Sequence, residues 1–248
     1  MTLMLKVTPP VIAHRGASAL APENTLAAFE KAAALGIKWI ECDVVQAACG
    51  EPVIFHDDLL DRTTNGTGPV FTHPYSHLKL LDAGGWFNPA FLNERIPTLK
   101  ELLHFLATRQ MNANIEIKAL PGQEAEQVKN VMEIMQPYLD SSENTFLFSS
   151  FSLEALKCIR QFYPQVLVGL LLHEWLPDWQ EICAWLHPVS IHVNDEIITQ
   201  NTAEIIKAMN KQLFCYTVNH PARAQMLFSW GVDAVFTDVP DIIIASLT

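Results

Sequence analysis

Short apolar runs alternate with amphipathic stretches along most of the chain, and this pattern limits the folds it can adopt. The apolar runs lie at residues 11–14, 39–45, 53–56, 113–117, 145–148, 166–171, 189–193, 213–217 and 234–236. The stretches at 25–35, 99–108, 125–135, 153–162, 179–186, 202–209 and 222–230 carry apolar residues three and four positions apart, which predicts helices. Nearly continuous apolar strands are typical of parallel sheets that are buried on both faces. The sequence therefore predicts a repeated strand–helix unit.

The number of strands favours a closed barrel over an open sheet. About eight strands with intervening helices in 248 residues match a TIM (β/α)8 barrel, and half of the residues are hydrophobic, enough for a large core. We predict one barrel domain over residues 1–248. Residues 57–95 lack a sustained period and hold glycine-rich turns, which predicts a functional loop or a small subdomain.

Composition excludes several classes of protein. The net charge of −11 argues against binding to nucleic acid or to an anionic membrane. The five cysteines show no zinc or disulfide spacing, which fits a reducing compartment. The first residues lack the apolar region of a signal peptide, and no apolar run reaches the ~18 residues of a spanning helix. We therefore expect a cytoplasmic protein without stable membrane insertion; its oligomeric state stays open.

Polar residues at the ends of the apolar runs are the candidates for chemistry, because the carboxyl ends of parallel strands form the active face of a barrel. These residues are His14, Arg15, Glu41, Asp43, His56, Glu116 and Lys118. Side chains alternate across a strand, so Glu41 and Asp43 share one face. Three carboxylates at one barrel mouth would repel one another without a cation, and oxygen ligands suit Mg²⁺ or Ca²⁺. The alternative is that each carboxylate is an ordinary solvated or capping residue.

Two histidines differ from the other seven, because His14 and His56 each end an apolar run and precede a charged residue. A pair of imidazoles can supply a general acid and a general base for displacement at phosphorus or carbonyl carbon. Arg15 and Lys118 could hold a phosphate beside the metal. The remaining histidines are interpreted as surface, capping or core residues; they are His73, His77, His104, His173, His187, His192 and His220.

A series of short motifs, in order along the chain, resembles the glycerophosphodiester phosphodiesterases. The motifs are His-Arg-Gly at 14–16, Pro-Glu-Asn-Thr at 22–25, Glu-Cys-Asp-Val at 41–44, Pro-Val-Ile-Phe-His-Asp at 52–57, Leu-Asp-Arg-Thr-Thr-Asn-Gly at 60–66, Glu-Ile-Lys at 116–118, Tyr-Thr-Val-Asn at 216–219 and Thr-Asp at 237–238. They cover nearly the whole chain. Such an ordered series is more specific than any single motif.

The resemblance implies a TIM barrel with a small insertion after the second strand, at about residues 57–95. It implies metal-dependent hydrolysis of glycerophosphodiesters to sn-glycerol 3-phosphate and an alcohol, with one Mg²⁺ or Ca²⁺. Carried over by position, the roles are metal ligands for Glu41, Asp43 and Glu116, acid and base for His14 and His56, and phosphate contacts for Arg15 and Lys118. Tyr216 stands where the family often has tryptophan. Tyr216 and Phe236 either line the substrate site or pack in the core.

Two other functions stay open at this point. One is a related barrel phosphodiesterase acting on lysophospholipids or phosphosphingolipids, although no basic amphipathic helix offers membrane attachment. The other is a non-catalytic protein that binds a phosphodiester or glycerol phosphate, which would predict loss of His14 or His56. The sequence leaves open the alcohol preference, the ion, which histidine is the acid, and whether water or a substrate hydroxyl attacks.

Overall fold

The structure is a computed structural model that describes residues 4–139 and 143–247. Its strands are β1 (Val11–Ala13), β2 (Trp39–Gln46), β3 (Pro52–Ile54), β4 (Asn112–Ile117), β5 (Phe146–Ser150), β6 (Leu167–Leu172), β7 (Ser190–Asn194), β8 (Gln212–Tyr216) and β9 (Ala234–Thr237). Its helices are α1 (Leu26–Ala34), α2 (Tyr75–Leu78), α3 (Leu99–Arg109), α4 (Glu124–Leu139), α5 (Leu153–Phe162), α6 (Trp179–Leu186), α7 (Gln200–Ala208), α8 (Pro221–Ser229) and α9 (Pro240–Ala245).

Eight of the strands form a closed parallel barrel. The order around it is β1, β2, β4, β5, β6, β7, β8 and β9, and β1 closes the ring by pairing with both β2 and β9. Helices follow the barrel strands and cover the outside. The predicted TIM barrel is confirmed.

The apolar run at 53–56 forms a strand that does not belong to the eight-stranded barrel. β3 pairs antiparallel with β2, with Val44 opposite Ile54 and Gln46 opposite Pro52. The connection of residues 47–51 is too short for a parallel crossover, which needs a dozen or more residues. His56 follows this returning hairpin strand and lies at the barrel mouth.

The barrel strands separate two apolar layers. The main core lies between strands and helices and holds outward-facing side chains such as Cys42, Ile115 and Val193. A smaller cluster inside the barrel holds Ile12, Trp39, Leu147, Phe214 and Phe236. Because side chains alternate along a strand, Glu41 and Asp43 face the interior while Cys42 packs outward.

The predicted insertion forms a small unit between β3 and α3. It holds the 3₁₀ turns Val70–Thr72 and Pro89–Phe91 and the short helix α2. Its apolar side chains form a separate cluster around Leu60, Leu78 and Ile96. Within the described residues, no helix is both long enough and apolar enough to cross a membrane.

Candidate active site

A cavity of about 280 Å³ opens at the carboxyl ends of the barrel strands. Its lining residues come from seven of the eight barrel strands or the loops after them, and from the segment after β3. They are His14, Arg15, Glu41, Asp43, His56, Asn114, Glu116, Phe151, Leu171, His173, Tyr216, Thr217 and Phe236. Eight of the nine predicted site residues are thus gathered in one place; Lys118 is the exception.

The three predicted metal ligands lie together on one side of this cavity. Glu41 and Asp43 face inward from β2, and Glu116 faces inward from β4, where it pairs in register with Asp43. One carboxylate oxygen of each lies within 4.8 Å of the others. Asn24 Nδ2 donates to Asp43 Oδ2 at 2.9 Å, and the backbone N–H of Arg15 donates to Glu41 Oε2 at 2.9 Å. These contacts hold the oxygens close despite their mutual repulsion.

The carboxylates are buried beside one another, and both burial and mutual repulsion destabilise their ionised forms. Burial, with the charges of Asp43 and Glu116, raises the pKa of Glu41 well above its usual value. Burial and the charge of Asp43 raise the pKa of Glu116 to about 8. A divalent cation among these oxygens would remove the repulsion, and three carboxylates form a donor set suited to Mg²⁺ or Ca²⁺.

The turn after β1 places His14 and Arg15 at the mouth. Gly16 takes a φ of +81°, and a Cβ there would lie 2.7 Å from Ala28, so the turn requires glycine. His14 Nδ1 is 2.7 Å from Asp238 Oδ1, which follows β9, and His14 Nε2 lies 3.9 Å from Glu41 Oε2. The carboxylate of Asp238 therefore turns the other ring nitrogen of His14 toward the carboxylate of Glu41.

Asp238 is itself held on both oxygens. Ser18 Oγ donates to Oδ1 at 3.0 Å, and Asn219 Nδ2 donates to Oδ2 at 2.7 Å. Burial opposes ionisation, but the hydrogen bonds with His14, Asn219 and Ser18 outweigh it and lower the pKa of Asp238 to about 2. Asp238 is thus an anion at neutral pH.

His56 has a similar partner in a different charge environment. Its Nδ1 is 2.6 Å from Asp57 Oδ1, and Arg62 donates to both oxygens of Asp57 at 2.6 and 2.8 Å. Arg62 also binds Glu23, which in turn accepts from Arg15 at 2.7 Å. Burial, and then the positive charges of Arg15 and Lys118, lower the pKa of His56. His56 is therefore neutral at pH 7 in this geometry.

The two predicted phosphate contacts occupy different positions. Arg15 lines the cavity, with Nε 3.5 Å from Asp43 Oδ2. Lys118 Nζ lies 3.9 Å from Glu116 Oε1, but its side chain lines the clefts beside the cavity. A ligand must therefore extend past Glu116 to meet Lys118.

The opposite side of the cavity is largely apolar. Tyr216 and Phe236 line it, together with Phe151 and Leu171. Phe151 and Tyr216 meet edge to face, with ring centroids 6.2 Å apart. The structure thus places Tyr216 and Phe236 at the cavity wall, and both also pack against the inner cluster of the barrel.

Several site residues had no role at the sequence level. Asp57 directly follows the apolar run at 53–56 and Asp238 lies two residues after the run at 234–236, so their positions near strand ends are the signal that could have found them. His173 was set aside as structural, but it lines the cavity. Asn114 lies inside an apolar run, so strand ends could not reveal it. Alternation along the strand places it on the same face as Glu116, and the barrel register sets it beside Glu41.

Comparison with known proteins decides the family. The model of the Glycerophosphoryl diester phosphodiesterase family matches residues 14–242. The chain belongs to this family. A glycerophosphodiester phosphodiesterase from Caldanaerobacter subterraneus is 35% identical over 238 residues, covering 94% of this chain and 96% of the relative. The family and the enzyme class predicted from the motifs are confirmed.

Solved structures of the family show the same architecture. A phosphodiesterase from Oleispira antarctica, in complex with the product sn-glycerol-3-phosphate, superposes with a TM-score of 0.93 at 37% identity and covers 96% of each chain. A glycerophosphodiester phosphodiesterase from Agrobacterium tumefaciens superposes with a TM-score of 0.79 at 29% identity, over 95% of this chain and 98% of that one.

Proposed function

We propose that this chain hydrolyses glycerophosphodiesters to sn-glycerol 3-phosphate and a free alcohol, with a divalent cation held by Glu41, Asp43 and Glu116. The observation that carries the proposal is that two imidazoles, each paired with a carboxylate, face the three-carboxylate cluster across one cavity. The sn-glycerol 3-phosphate bound to the Oleispira antarctica relative supports the choice of product.

The bound cation would supply a Lewis acid that polarises the phosphate and offsets its charge. The desolvated, mutually repelling carboxylates fit that role. Arg15 presents a planar fork of N–H donors to the non-bridging oxygens, and Lys118 adds a positive charge beside Glu116. Together these groups hold an anionic phosphate on a protein of net charge −11.

The two histidines move the protons. With Nδ1 bound to Asp238, His14 presents Nε2 to the cavity; with Nδ1 bound to Asp57, His56 does the same. We assign His56 as the base, because burial keeps it neutral. We assign His14 as the acid that protonates the departing alkoxide, because its Nδ1 contacts Asp238, a carboxylate otherwise held by the neutral groups of Ser18 and Asn219.

The test is release of sn-glycerol 3-phosphate from glycerophosphocholine, with Mg²⁺ or Ca²⁺ and after EDTA treatment. We expect activity that EDTA abolishes and either ion restores. His14→Ala and His56→Ala should each lower kcat by about 10²-fold or more. His104→Ala, on the exposed face of α3, is the matched control and should keep wild-type kcat. Wild-type rates in either site variant, or full activity after EDTA, would contradict the mechanism.

The non-catalytic alternative makes a different prediction. It requires binding of glycerol phosphate without turnover of any diester, although both imidazoles are retained in the cavity. A panel of glycerophosphodiesters with different alcohols separates the two functions and measures the alcohol preference. Binding without product from any member of the panel would favour the non-catalytic alternative.

A further inference from the structure

Arg62 joins two parts of the chain that meet at the mouth of the barrel. It lies in the segment after β3 and forms hydrogen bonds with both oxygens of two carboxylates. Its Nε and Nη2 donate to Asp57 at 2.6 and 2.8 Å, and its Nη1 and Nη2 donate to Glu23 at 2.6 and 2.7 Å. Glu23 belongs to the loop between β1 and α1. One guanidinium therefore bridges that loop and the segment after β3.

Both carboxylates on this guanidinium also contact a group of the proposed mechanism. Glu23 Oε1, which accepts from Arg62, accepts from Nη1 of Arg15 at 2.7 Å as well. Asp57 Oδ1, which also accepts from Arg62, contacts Nδ1 of His56 at 2.6 Å. Arg62 itself lies outside the cavity lining. Its hydrogen bonds thus reach Arg15 and His56 through one shared carboxylate oxygen in each case.

The position of His56 depends on contacts outside the barrel sheet. His14 directly follows the barrel strand β1, whereas His56 comes after β3, which lies outside the ring of eight strands. Backbone bonding to β2 extends to Phe55, whose N–H donates to the carbonyl of Asp43 at 3.0 Å. His56 lies just beyond this contact, and its ring is held by the carboxylate of Asp57. A group that fixes this carboxylate therefore also fixes the imidazole.

The geometry distinguishes Arg62 from an ordinary surface ion pair. An isolated pair of exposed charges contributes little, because water screens it and both side chains lose freedom. The Arg62 side chain is 45% exposed, but those of Glu23 and Asp57 are only 12% and 24% exposed. Two N–H donors on each carboxylate fix its orientation as well as its distance. The hydrogen bonds from Arg62 also lower the pKa of Asp57, which is therefore an anion at neutral pH.

We propose that Arg62 is a positioning residue that orients His56 and Arg15 together. It does so by holding Asp57 and Glu23, one carboxylate beside each of these groups, on a single guanidinium. The inference rests on the proposed function, in which His56 moves a proton and Arg15 holds the phosphate. The orientation of His56 matters for the chemical step, and that of Arg15 matters for binding of the phosphate. Both kcat and KM therefore depend on Arg62.

The kinetic test measures hydrolysis of glycerophosphocholine, with Mg²⁺ or Ca²⁺, by the wild type and by Arg62→Ala. We expect Arg62→Ala to lower kcat about tenfold or more and to raise KM about threefold or more, because misplaced groups lose much of their effect. A change in only one of the two constants, or in neither, overturns the joint positioning of His56 and Arg15. Arg62→Lys keeps the charge without the planar fork and should recover little of the loss. Full recovery in Arg62→Lys would assign the effect to charge alone and also overturn the proposal.

A double variant separates positioning from a general loss of structure. Because Arg62 acts on the chemical step through the His56 ring, Arg62→Ala should lower the kcat of His56→Ala less than about twofold. The same loss of kcat in both backgrounds overturns the proposal. Arg109→Ala is the matched control, because Arg109 is 50% exposed and donates to Glu30 at 2.7 Å on the helical outside of the barrel. It should keep wild-type kcat and KM.

The orientation of His56 is also measured without turnover. ¹⁵N NMR of the imidazole reports the tautomer and the hydrogen bond at Nδ1, and we expect Arg62→Ala to change both signals of His56. Unchanged signals overturn the positioning role, whatever the kinetics show. If the wild type hydrolyses no glycerophosphodiester, the proposed function is wrong, and changed His56 signals still support the role of Arg62. If the wild type is active and Arg62→Ala matches it, the role of Arg62 is wrong and the proposed function stands.

Discussion

His14 and His56 are each paired with a carboxylate through Nδ1, but the two pairs lie in different electrostatic environments. Each places Nδ1 against a carboxylate, at 2.7 Å for Asp238 and 2.6 Å for Asp57. Asp57 is neutralised by Arg62, whereas Asp238 is otherwise held by the neutral groups of Ser18 and Asn219. The Asp238 carboxylate beside His14 therefore keeps a negative charge that its other hydrogen-bond partners do not balance.

This difference predicts that Asp238→Asn lowers kcat about 10²-fold with little change in KM. An amide at position 238 can donate its N–H to Nδ1 and so leave the proton on the wrong ring nitrogen. The measurement combines steady-state kinetics with the tautomer of His14, observed by ¹⁵N NMR of the imidazole. A merely structural role would not move the tautomer.

Asp233→Asn is the control for that variant. Asp233 forms an ion pair with Lys207 at 2.6 Å on the outside of the barrel, so it has a comparable carboxylate contact that cannot reach the cavity. It should keep wild-type kcat. An Asp238→Asn enzyme with wild-type kcat would show that the carboxylate does not position His14 for catalysis.

The carboxylate cluster predicts a pH-dependent response to metal. The pKa of Glu116 is about 8 in the metal-free fold, against an ordinary value of 4.5 in the unfolded chain. At a pH between these two pKa values the folded state binds a proton that the unfolded chain has lost. The free energy of unfolding therefore falls as the pH rises through that window. A divalent ion binds the ionised form, so the rise in melting temperature on adding Mg²⁺ or Ca²⁺ should be larger at pH 8 than at pH 5.5.

The size of this effect follows from binding. Ion at 100 times its dissociation constant adds about 2.7 kcal/mol to the free energy of unfolding, or roughly 5–10 °C in melting temperature for a chain of this length. Glu116→Gln removes one of the two carboxyl groups with a raised pKa, so it should reduce the loss of stability between pH 5 and 8. An equal metal response at both pH values would contradict the shared ion site.

At the scale of elements, a helix could be predicted from the sequence only where it is long enough to show a helical period. Long periodic stretches predicted their helices well, and α6 has the predicted bounds of 179–186. α2 and α9 span only residues 75–78 and 240–245, too short to show a helical period, and neither was predicted. An apolar run carries no information on direction, so the run at 53–56 alone could not show whether β3 belongs to the barrel. The short connection 47–51 is the feature that excludes it.

Prediction of the site residues was limited in the same way, because only local patterns can be read from the sequence. Strand ends identified the carboxylates and histidines, because a barrel gathers those ends on one face. Partners that lie far apart in sequence, such as Asp238 for His14, depend on closure of the ring between β9 and β1 and could not be assigned from spacing. Asn114 required the register of β4 against β2.

The barrel interior contains a buried histidine, and its ring fits there because the neighbouring strand has a glycine beside it. His192 on β7 is fully buried, bonds Ser190 Oγ at 2.8 Å and stacks on Phe214, and burial lowers its pKa to about 3. A Cβ at Gly169 on β6 would lie 2.5 Å from the His192 ring. We therefore predict that Gly169→Ala destabilises the fold by about 1–3 kcal/mol through overpacking.

Denaturant unfolding of Gly169→Ala, His192→Ala and the double variant tests this contact. Because the smaller side chain at 192 makes room for the added methyl group, the two destabilisations should not add. Additive changes would show that the cost of Gly169→Ala comes from elsewhere in the strand.

At the scale of the whole molecule, the charge distribution opposes the proposed substrate. The net charge is −11, and the positive charge beside the cavity comes from Arg15 and Lys118, to which the proposed ion would add. At 0.01 M ionic strength the Debye length is about 30 Å, so an approaching anion senses the whole protein; at 0.15 M it is about 8 Å, and only groups at the mouth are sensed. Salt should therefore help an anionic diester reach the site.

We predict that kcat/KM for glycerophosphoglycerol, an anion, rises about threefold between 0.01 and 0.15 M salt. The value for glycerophosphocholine, which has no net charge, should stay nearly constant and serves as the matched substrate. Repeating the series with a second monovalent salt separates screening from specific ion binding. If kcat/KM for the anion falls with salt instead, the local field of Arg15, Lys118 and the ion extends beyond the mouth and outweighs the charge of the rest of the molecule.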